Sequence, residues 1–179
     1  MKKKDFIIIR YGHRDVRDYR VTSHCALVSR AFGANKMIVC ESKDEIAENT
    51  IKGVNERWGG NFKVEFIQDW KEAITKLKKR GYIIVHLTMY GLKVQEVEKK
   101  INKLNKIAVL IGSQKVEREV YEIADYNVSI TNQPHSEIAA LAVFLDRTQQ
   151  GKELGKKFLK SKLKIIPQEK GKKVINRKK

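Results

Sequence analysis

Cysteine is scarce in this chain of 179 residues. Cys25 and Cys40 are too few for a disulfide framework, and they do not form the Cys-x-x-Cys pair that is typical of zinc sites. We therefore expect both to be small buried apolar residues in a protein of the reducing cytoplasm.

Long hydrophobic runs are also missing. No stretch approaches the roughly 20 apolar residues of a membrane span, and the basic start MKKK is followed only by a short apolar run before Arg10. We expect neither a signal peptide nor a membrane anchor. The length suits one domain with a substantial core.

The motifs of several common catalytic classes do not occur. There is no Gly-x-Gly-x-x-Gly and no Gly-x-x-x-x-Gly-Lys-Ser/Thr, which disfavours ordinary dinucleotide and P-loop sites. The four histidines lack the paired spacing of metal ligands, so we predict no bound metal. A Ser/His/Asp triad cannot be inferred without geometry.

Positive charge is abundant and concentrated at both ends of the chain. The net charge is +17; residues 152–179 hold 12 Lys/Arg against 2 Asp/Glu, and residues 1–30 hold 8 against 3. Such ends are typical of polyanion binding, because neutralised phosphates release counterions. A solvated, solubilising tail would give the same composition. An anionic membrane surface fits less well, because the tail has no clean amphipathic face.

Short β-branched runs alternate with helical periodicity along the chain. They predict strands at Phe6–Ile9, Lys36–Cys40, Phe62–Ile67, Tyr82–Leu87, Ile107–Ile111 and Asn127–Ile130. This alternation predicts an α/β domain with a mostly parallel sheet and helices on both faces. Ser42 with Glu45 predicts one helix start, and Asp69 predicts another.

Polar loops follow three of the predicted strands, at residues 88–91, 112–115 and 131–136. Ligands of open parallel sheets bind outside the carboxyl ends of strands, so these loops predict one composite site. The last loop has a second interpretation as a capped helix start, with Asn or Gln at the beginning, Pro134 in the first turn and Glu137 complementing the helix dipole.

The segment 10–24 carries four arginines and two histidines in fifteen residues. Arginine forks suit phosphate and ribose contacts, and the segment follows the first predicted strand. Asp15 and Asp18 could instead hold some of these arginines in structural ion pairs.

Three segments together resemble a known family. RDVRDYRVTSHCALVSRAFGA (14–34), VHLTMYG (85–91) and ADYNVSITNQPHSEIAALAVFLDR (124–147) are similar to the archaeal tRNA (cytidine-56 2′-O)-methyltransferases of the SPOUT superfamily. The resemblance spans roughly residues 5–150. It implies a methyltransferase domain over residues 1–151 with a trefoil knot in its C-terminal part, followed by a basic extension over residues 152–179.

The resemblance also implies a homodimer that binds tRNA and uses S-adenosylmethionine as cofactor. It places the cofactor in the loops of the knot. The implied cofactor-binding residues are Leu87, Gly112, Ser113, Gln114, Lys115, Val116, Ile130, Thr131, Asn132, Gln133, Pro134, His135, Ser136 and Glu137. The family often has glycine where this chain has Ser113 and Thr131; a positive φ at either position would strain the loop.

The implied reaction is attack of a ribose 2′-oxygen on the methyl carbon of S-adenosylmethionine, which needs alignment and proton removal but no metal. Arg20 and His24 are the catalytic candidates, and Arg14, Arg17 and Arg30 are candidate RNA contacts. An arginine keeps its proton, so Arg20 would polarise the hydroxyl, whereas His24 would be the easier base. Two alternatives stay open at this point: a SPOUT enzyme acting on another tRNA or rRNA nucleotide, and a non-catalytic RNA-binding relative.

Overall fold

A computed structural model describes residues 4–12, 19–112 and 116–177 of the chain. Its main sheet contains β1 (Asp5–Tyr11), β2 (Lys36–Cys40), β3 (Lys63–Ile67), β4 (Ile83–Lys93), β5 (Lys106–Gly112) and β6 (Tyr126–Ser129). The helices are α1 (Tyr19–Ala31), α2 (Glu45–Trp58), α3 (Trp70–Lys79), α4 (Val94–Ile101), α5 (Arg118–Ile123) and α6 (Glu137–Gln149). All six predicted strands are therefore confirmed, with shifts at their ends.

The sheet is parallel throughout, in the order β3-β2-β1-β5-β4-β6. Side chains alternate across each strand, so Phe6 and Ile8 pack with α1, α2, α4 and α6, whereas Ile7 and Ile9 pack with α3 and α5. Both faces of the sheet are covered, as the continuous apolar runs predicted. No helix in the described part of the chain is long and apolar enough to cross a membrane.

Side-chain caps fix where the helices begin. The Asp69 carboxylate accepts the Lys71 N–H at 2.8 Å, which confirms the predicted start of α3. The predicted start at Ser42 is wrong, because the Asp44 carboxylate accepts the Ala47 N–H at 2.8 Å and begins α2 two residues later. Both residue types make good caps, and only the three-dimensional position of the helix selects between them.

Strand β4 is longer than predicted, because its pairing with β6 is interrupted after Leu87 and resumes at Leu92. Leu87 and Leu92 both pair with Val128 of β6, so residues 88–91 lie outside the ladder and form what we term the β4 bulge. A Cβ at Gly91 would lie 2.4 Å from the carbonyl carbon of Asn127. The backbone of the bulge thus passes so close to β6 that only glycine fits.

The basic C-terminal segment is folded against the rest of the chain. It contains a 3₁₀ turn, η1 (Lys152–Gly155), and an antiparallel hairpin of β7 (Leu163–Ile166) and β8 (Lys173–Asn176). Backbone hydrogen bonds join it to the end of α2: Gly60 N–H donates to Leu159 at 2.9 Å and Lys162 N–H donates to Arg57 at 3.0 Å.

Candidate functional site

A cleft of about 280 Å³ opens where β4, β5 and β6 end. These parallel strands finish at the same edge of the sheet, which brings their following loops together. The lining residues are Leu87, Thr88, Met89, Gly112, Val128, Ile130, Pro134, His135, Glu137 and Ala140. The structure thus brings parts of the three predicted loops around one cavity.

One amide side chain fastens two of these loops together. The Asn132 Nδ2 donates to the carbonyl oxygens of Met89 at 2.7 Å and Gly91 at 3.3 Å, and it lies 3.1 Å from Ser129 Oγ. Asn132 itself is solvent-exposed and does not line the cleft. Its contribution to the cleft is to hold the β4 bulge against the loop that follows β6.

A buried arginine connects the end of β1 to the first residue of α6. Arg10 is fully buried; its Nη1 lies 3.2 Å from Glu137 Oε1, and its Nε donates to Thr22 Oγ1 at 3.4 Å. The contact places the start of α1, the end of β1 and the wall of the cleft next to one another. It also offsets the charge of Glu137 beside the cavity.

The start of α6 differs from the sequence prediction in its details. Ser136 is the N-cap, and its hydroxyl accepts the Ile138 N–H at 3.1 Å, whereas Pro134 precedes the helix. Neither Asn132 nor Gln133 caps it. Thr131 has no positive φ, so the strain considered for this position does not arise.

Two polar side chains, His135 and Tyr11, lie in or near the cleft. His135 lines the cleft, and its Nδ1 lies 3.0 Å from the Ser136 carbonyl oxygen; donation there leaves Nε2 as an acceptor. Tyr11 pairs with Gly112. Burial, followed by the carboxylates of Glu41 and Glu117, raises the pKa of Tyr11 to about 12, so it stays protonated at neutral pH.

The two catalytic candidates lie on α1, four residues apart and both exposed. Neither Arg20 nor His24 lines the cleft of its own chain. Thr22, between them in sequence, is buried and contacts Arg10. Helix α1 therefore begins at the same end of the sheet as the cleft, but Arg20 and His24 on its exposed face do not line the cleft.

Arg30 is placed differently from the prediction of an RNA contact. It is buried, its Nε donates to Asn55 Oδ1 at 3.0 Å, and its Nη2 donates to the Gly59 carbonyl at 2.6 Å. The guanidinium carbon also lies 4.2 Å from the centre of the Phe158 ring. Burial lowers the pKa of Arg30, and the residue fastens the C-terminal segment to α1 and α2.

The remaining predicted site residues either do not line the cleft or lie outside the described residues. Val116 packs against the core on the face of α3 and α5, and it does not line the cleft. Thr131 and Gln133 are exposed and do not line it either. The predicted residues Arg14, Arg17, Ser113, Gln114 and Lys115 lie outside the described residues.

Four lining residues were missing from the predicted set: Thr88, Met89, Val128 and Ala140. Thr88 and Met89 belong to a strand-end loop that the sequence did mark as polar. Val128 and Ala140 have the sequence pattern of ordinary core residues, so nothing in the sequence distinguishes them.

A larger cavity of about 550 Å³ lies at the opposite edge of the sheet, between the C-terminal segment and the residues that precede β2 and β3. Its lining includes the predominantly basic segment 156–160 together with Arg30, Asn35 and Asn61. Among the described residues, no group of three or more His, Cys, Asp or Glu side chains could hold a metal ion.

The fold is that of the SpoU class of methyltransferases. The Aquifex aeolicus TrmH/SpoU tRNA modifying enzyme superimposes with a TM-score of 0.65 at 18% identity, covering 85% of this chain and 77% of that one. The SpoU methyltransferase AviRb from Streptomyces viridochromogenes, solved in complex with AdoMet, gives a TM-score of 0.61 at 14% identity. This chain is covered over 87% of its length and AviRb over 60%.

Sequence similarity identifies the family to which the chain belongs. Residues 58–175 match the family described as tRNA ribose 2′-O-methyltransferase, aTrm56. The tRNA (cytidine(56)-2′-O)-methyltransferase of Thermococcus kodakarensis is 49% identical over 97% of this chain and 98% of its own length. That of Staphylothermus marinus is 51% identical over 93% and 90%. The chain belongs to the aTrm56 family.

Proposed function

We propose that this protein transfers a methyl group from S-adenosylmethionine to the ribose 2′-hydroxyl of cytidine 56 in tRNA. The observation that carries the proposal is the nearly full-length similarity to enzymes of that name, together with a cleft built from the three loops that the family pattern marks. A non-catalytic relative would have no use for this cleft.

The cleft has the chemistry that the cofactor requires. Leu87, Val128 and Ile130 supply apolar walls for an adenine ring, and the backbone of the loop before α6 supplies polar groups for the ribose and amino-acid parts. We extend the binding site to the backbone of segments 112–116 and 130–137, since the Val116 side chain itself packs against the core. S-adenosylmethionine, when bound, supplies a methyl group on a sulfonium sulfur that leaves as a neutral thioether.

Arg20 and His24 are the residues that we assign to the ribose. The Arg20 guanidinium offers several N–H donors and no acceptor, so it orients and polarises the 2′-hydroxyl. The His24 imidazole is suited to accept the hydroxyl proton. Arg10 contacts Thr22 of α1 and Glu137 of α6, and it thereby holds the two helices next to each other.

A homodimer would reconcile the placement of these residues with the cleft. Arg20 and His24 are exposed and do not line the cleft of their own chain, so we propose that α1 of a second copy completes it. We also propose that the chain segment around β4, β5 and β6 is tied in the trefoil knot of the superfamily, and that the protein works in the cytoplasm.

The basic regions complete the proposed tRNA surface. The exposed hairpin of β7 and β8 carries Lys164, Lys170, Lys172 and Lys173. With Arg14 and Arg17, these lysines would contact phosphates and position the RNA without reading its sequence. Residues 152–179 thus serve as an RNA-binding extension of the methyltransferase domain, residues 1–151.

The proposed function is tested by incubating the protein with labelled S-adenosylmethionine and an unmodified tRNA transcript. We expect one labelled ribose, at cytidine 56, and no labelling when that ribose is replaced by deoxyribose. Label at another nucleotide would contradict the assigned target, and no label in any tRNA or rRNA would contradict the enzymatic function.

A further inference from the structure

We propose that the cavity of about 550 Å³ beneath the C-terminal segment binds backbone phosphates of the tRNA, at a part of the RNA remote from the methylated ribose. Its lining includes residues that directly precede β2 and β3, so we term it the amino-edge site. The proposal rests on the proposed function, because the phosphates belong to the tRNA whose ribose enters the cleft at the opposite edge of the sheet.

The first observation is that Arg30, in the wall of this cavity, is a buried cation without a carboxylate partner. It is only 7% exposed, and no Asp or Glu in the described part of the chain forms an ion pair with it. Arg10, which is also buried, has Glu137 at 3.2 Å. The Gly59 carbonyl at the end of α2 gives Arg30 only a partial negative charge. A buried charge of this kind is unfavourable, and a bound anion would offset it.

Arg30 also has hydrogen-bonding capacity that the fold leaves unused. Its Nε donates to Asn55 Oδ1 and its Nη2 donates to the Gly59 carbonyl, whereas its Nη1 makes no hydrogen bond to any described residue. A guanidinium donor in a cavity wall suits a phosphate oxygen, because such bonds are assisted by charge on both partners.

The second observation is that the wall around Arg30 carries positive charge on a fixed backbone. Lys156, Lys157 and Lys160 line the cavity, and none of its described lining residues is acidic. The Leu159 carbonyl between these lysines accepts the Gly60 N–H at 2.9 Å, which ties the segment to the end of α2. Cations on a backbone that is already ordered lose less conformational entropy when an anion binds.

The third observation is a second cavity, of about 280 Å³, that extends the site along the same edge of the sheet. It shares Asn35 and Asn61 with the first cavity and adds the cations of Lys63 and Arg80. Asp5, its one acidic residue among the described lining residues, already accepts hydrogen bonds, one of them from Asn35 Nδ2 at 2.5 Å. Cations along two adjoining cavities suit a chain of phosphates better than one small anion.

The distance from the cleft decides which part of the RNA is bound. The strands are parallel, so the cleft at their carboxyl ends and the amino-edge site lie at opposite ends of the sheet. Strand β5 alone, with 7 residues, spans roughly 20 Å at about 3.3 Å per residue. A phosphate held at the amino-edge site therefore belongs to another part of the tRNA than the methylated nucleotide, and its contact positions the RNA without reading its sequence.

The test places a carboxylate in both cavities through Asn61→Asp, which hardly changes the shape of the side chain. We expect the dissociation constant for tRNA, measured with S-adenosylhomocysteine present, to rise about 5- to 20-fold, because like charges then face each other. The affinity for S-adenosylmethionine should stay unchanged, since the cleft lies at the other edge of the sheet. The unfolding temperature should not fall, since Arg30 gains a counter-charge.

The matched control is Gln95→Glu, at an exposed residue of α4 that lines neither cavity. It changes the net charge by the same amount. We expect it to change the affinity for tRNA less than about twofold, because an exposed charge away from the RNA is screened by salt.

A second measurement uses the wild-type protein and therefore does not depend on the folding of a variant. The protein is treated with an amine-acetylating reagent with and without tRNA, and the modified lysines are quantified by mass spectrometry. Lys157 and Lys160 should react more slowly when tRNA is bound, whereas the exposed Lys99 and Lys103 should react at unchanged rates.

Equal tRNA affinities of Asn61→Asp and Gln95→Glu, or no protection of Lys157 and Lys160, would overturn the proposal. Inorganic phosphate is the probe for a small anion: if it raises the unfolding temperature of the wild type but not of Asn61→Asp while the two tRNA affinities are equal, the cavity does not bind RNA. If the wild type shows the expected binding and protection but methylates no tRNA, the proposed function has failed and the amino-edge site stands.

Discussion

The guanidinium of Arg10, at the carboxyl end of β1, lies 3.2 Å from the carboxylate of Glu137, the first residue of α6. Arg10 is fully buried and the Glu137 side chain is 30% exposed, so the pair is only partly screened by water. It is the one salt bridge in the described part of the chain that joins β1 to the wall of the cleft.

Glu137→Gln should reduce the free energy of unfolding by about 1–3 kcal/mol, because it removes a carboxylate that lies 3.2 Å from the buried Arg10 guanidinium. Arg10→Met combined with Glu137→Gln should cost less than the sum of the two single changes, by about 1 kcal/mol or more. Urea titrations of the four proteins measure this coupling. Strict additivity would show that the ion pair does not connect the two elements.

Arg20→Ala should abolish methyl transfer and leave cofactor affinity intact, since the residue does not line its own cleft. Ile130→Trp should fill the cleft and abolish cofactor binding. A mixed population of the two variants should recover about a quarter of the wild-type rate if each cleft uses α1 of the other copy.

Failure of that mixture to recover any activity would mean that Arg20 serves the cleft of its own chain. Near-normal turnover of Arg20→Ala alone would remove Arg20 from the catalytic machinery. The corresponding His24→Ala protein, assayed across pH, separates polarisation by Arg20 from proton removal by His24.

Neutralising the hairpin should weaken tRNA binding through salt-dependent contacts. Changing Lys164, Lys170, Lys172 and Lys173 to Gln should lower affinity and flatten the dependence of log K on log salt, while cofactor affinity persists. This design keeps Phe158, which packs under Arg30, whereas deletion of residues 152–179 would also uncover that buried guanidinium.

The matched control changes four exposed lysines of α3, α4 and the turn that follows α4, namely Lys79, Lys99, Lys100 and Lys103. It removes the same net charge from another surface. An equal loss of affinity in both proteins would indicate an effect of overall charge and would contradict a specific role for the hairpin.

The stability of the protein should depend on pH through His86. The ring is buried, its Nδ1 lies 2.9 Å from Asn127 Oδ1, and burial lowers the pKa of His86 although this hydrogen bond opposes the shift. The unfolded chain takes up a proton near its ordinary pKa of 6.5, whereas the folded ring resists protonation to lower pH. The contribution of the neutral His86 ring to the free energy of unfolding is therefore fully present above about pH 6.5, and it decreases as the pH falls below that value.

The slope from this one group cannot exceed about 1.4 kcal/mol per pH unit. His86→Gln removes the titrating ring, so the difference in unfolding free energy between wild type and variant should shrink as the pH falls from 7.5 to 5. A difference that stays constant over this range would assign the acid sensitivity to other groups.

Gly91→Ala should change the shape of the cleft, although Gly91 does not line it. The added methyl would lie 2.4 Å from the Asn127 carbonyl carbon and 2.5 Å from the Val128 nitrogen, so the β4 bulge must move away from β6. We expect a loss of stability of about 1–3 kcal/mol and at least a tenfold loss of cofactor affinity. Gly155→Ala is the control, since a Cβ there meets nothing within 4 Å.

Much of the fold was predictable because the strands are buried on both faces. Ile107–Ile111 is continuously apolar and fully buried, so its sequence marks it without ambiguity. The interruption of β4 was not predictable, because pairing of both Leu87 and Leu92 with Val128 is a property of the neighbouring strand rather than of local periodicity.

The site was predictable as a set of loops but not residue by residue. Leu87, Ile130 and His135 do line the cleft, whereas Val116 turns to the core on the far face of the sheet. Arg30 shows the general difficulty: a sequence displays its charge, but only the fold shows that its guanidinium is used by Asn55 and Gly59. Long-range packing decides these cases.

The order of strands in the sheet has a consequence for how the protein folds. β5 lies between β1 and β4 but follows both in the chain, and Asp5 pairs with Lys106 only after the intervening segment has been made. Until then β1 and β4 each present an open apolar edge, and non-local pairing of this kind is slow. On the ribosome, the centre of the sheet would stay unformed until β5 has been made, and an incomplete chain ending before β5 would be prone to aggregate through those two edges.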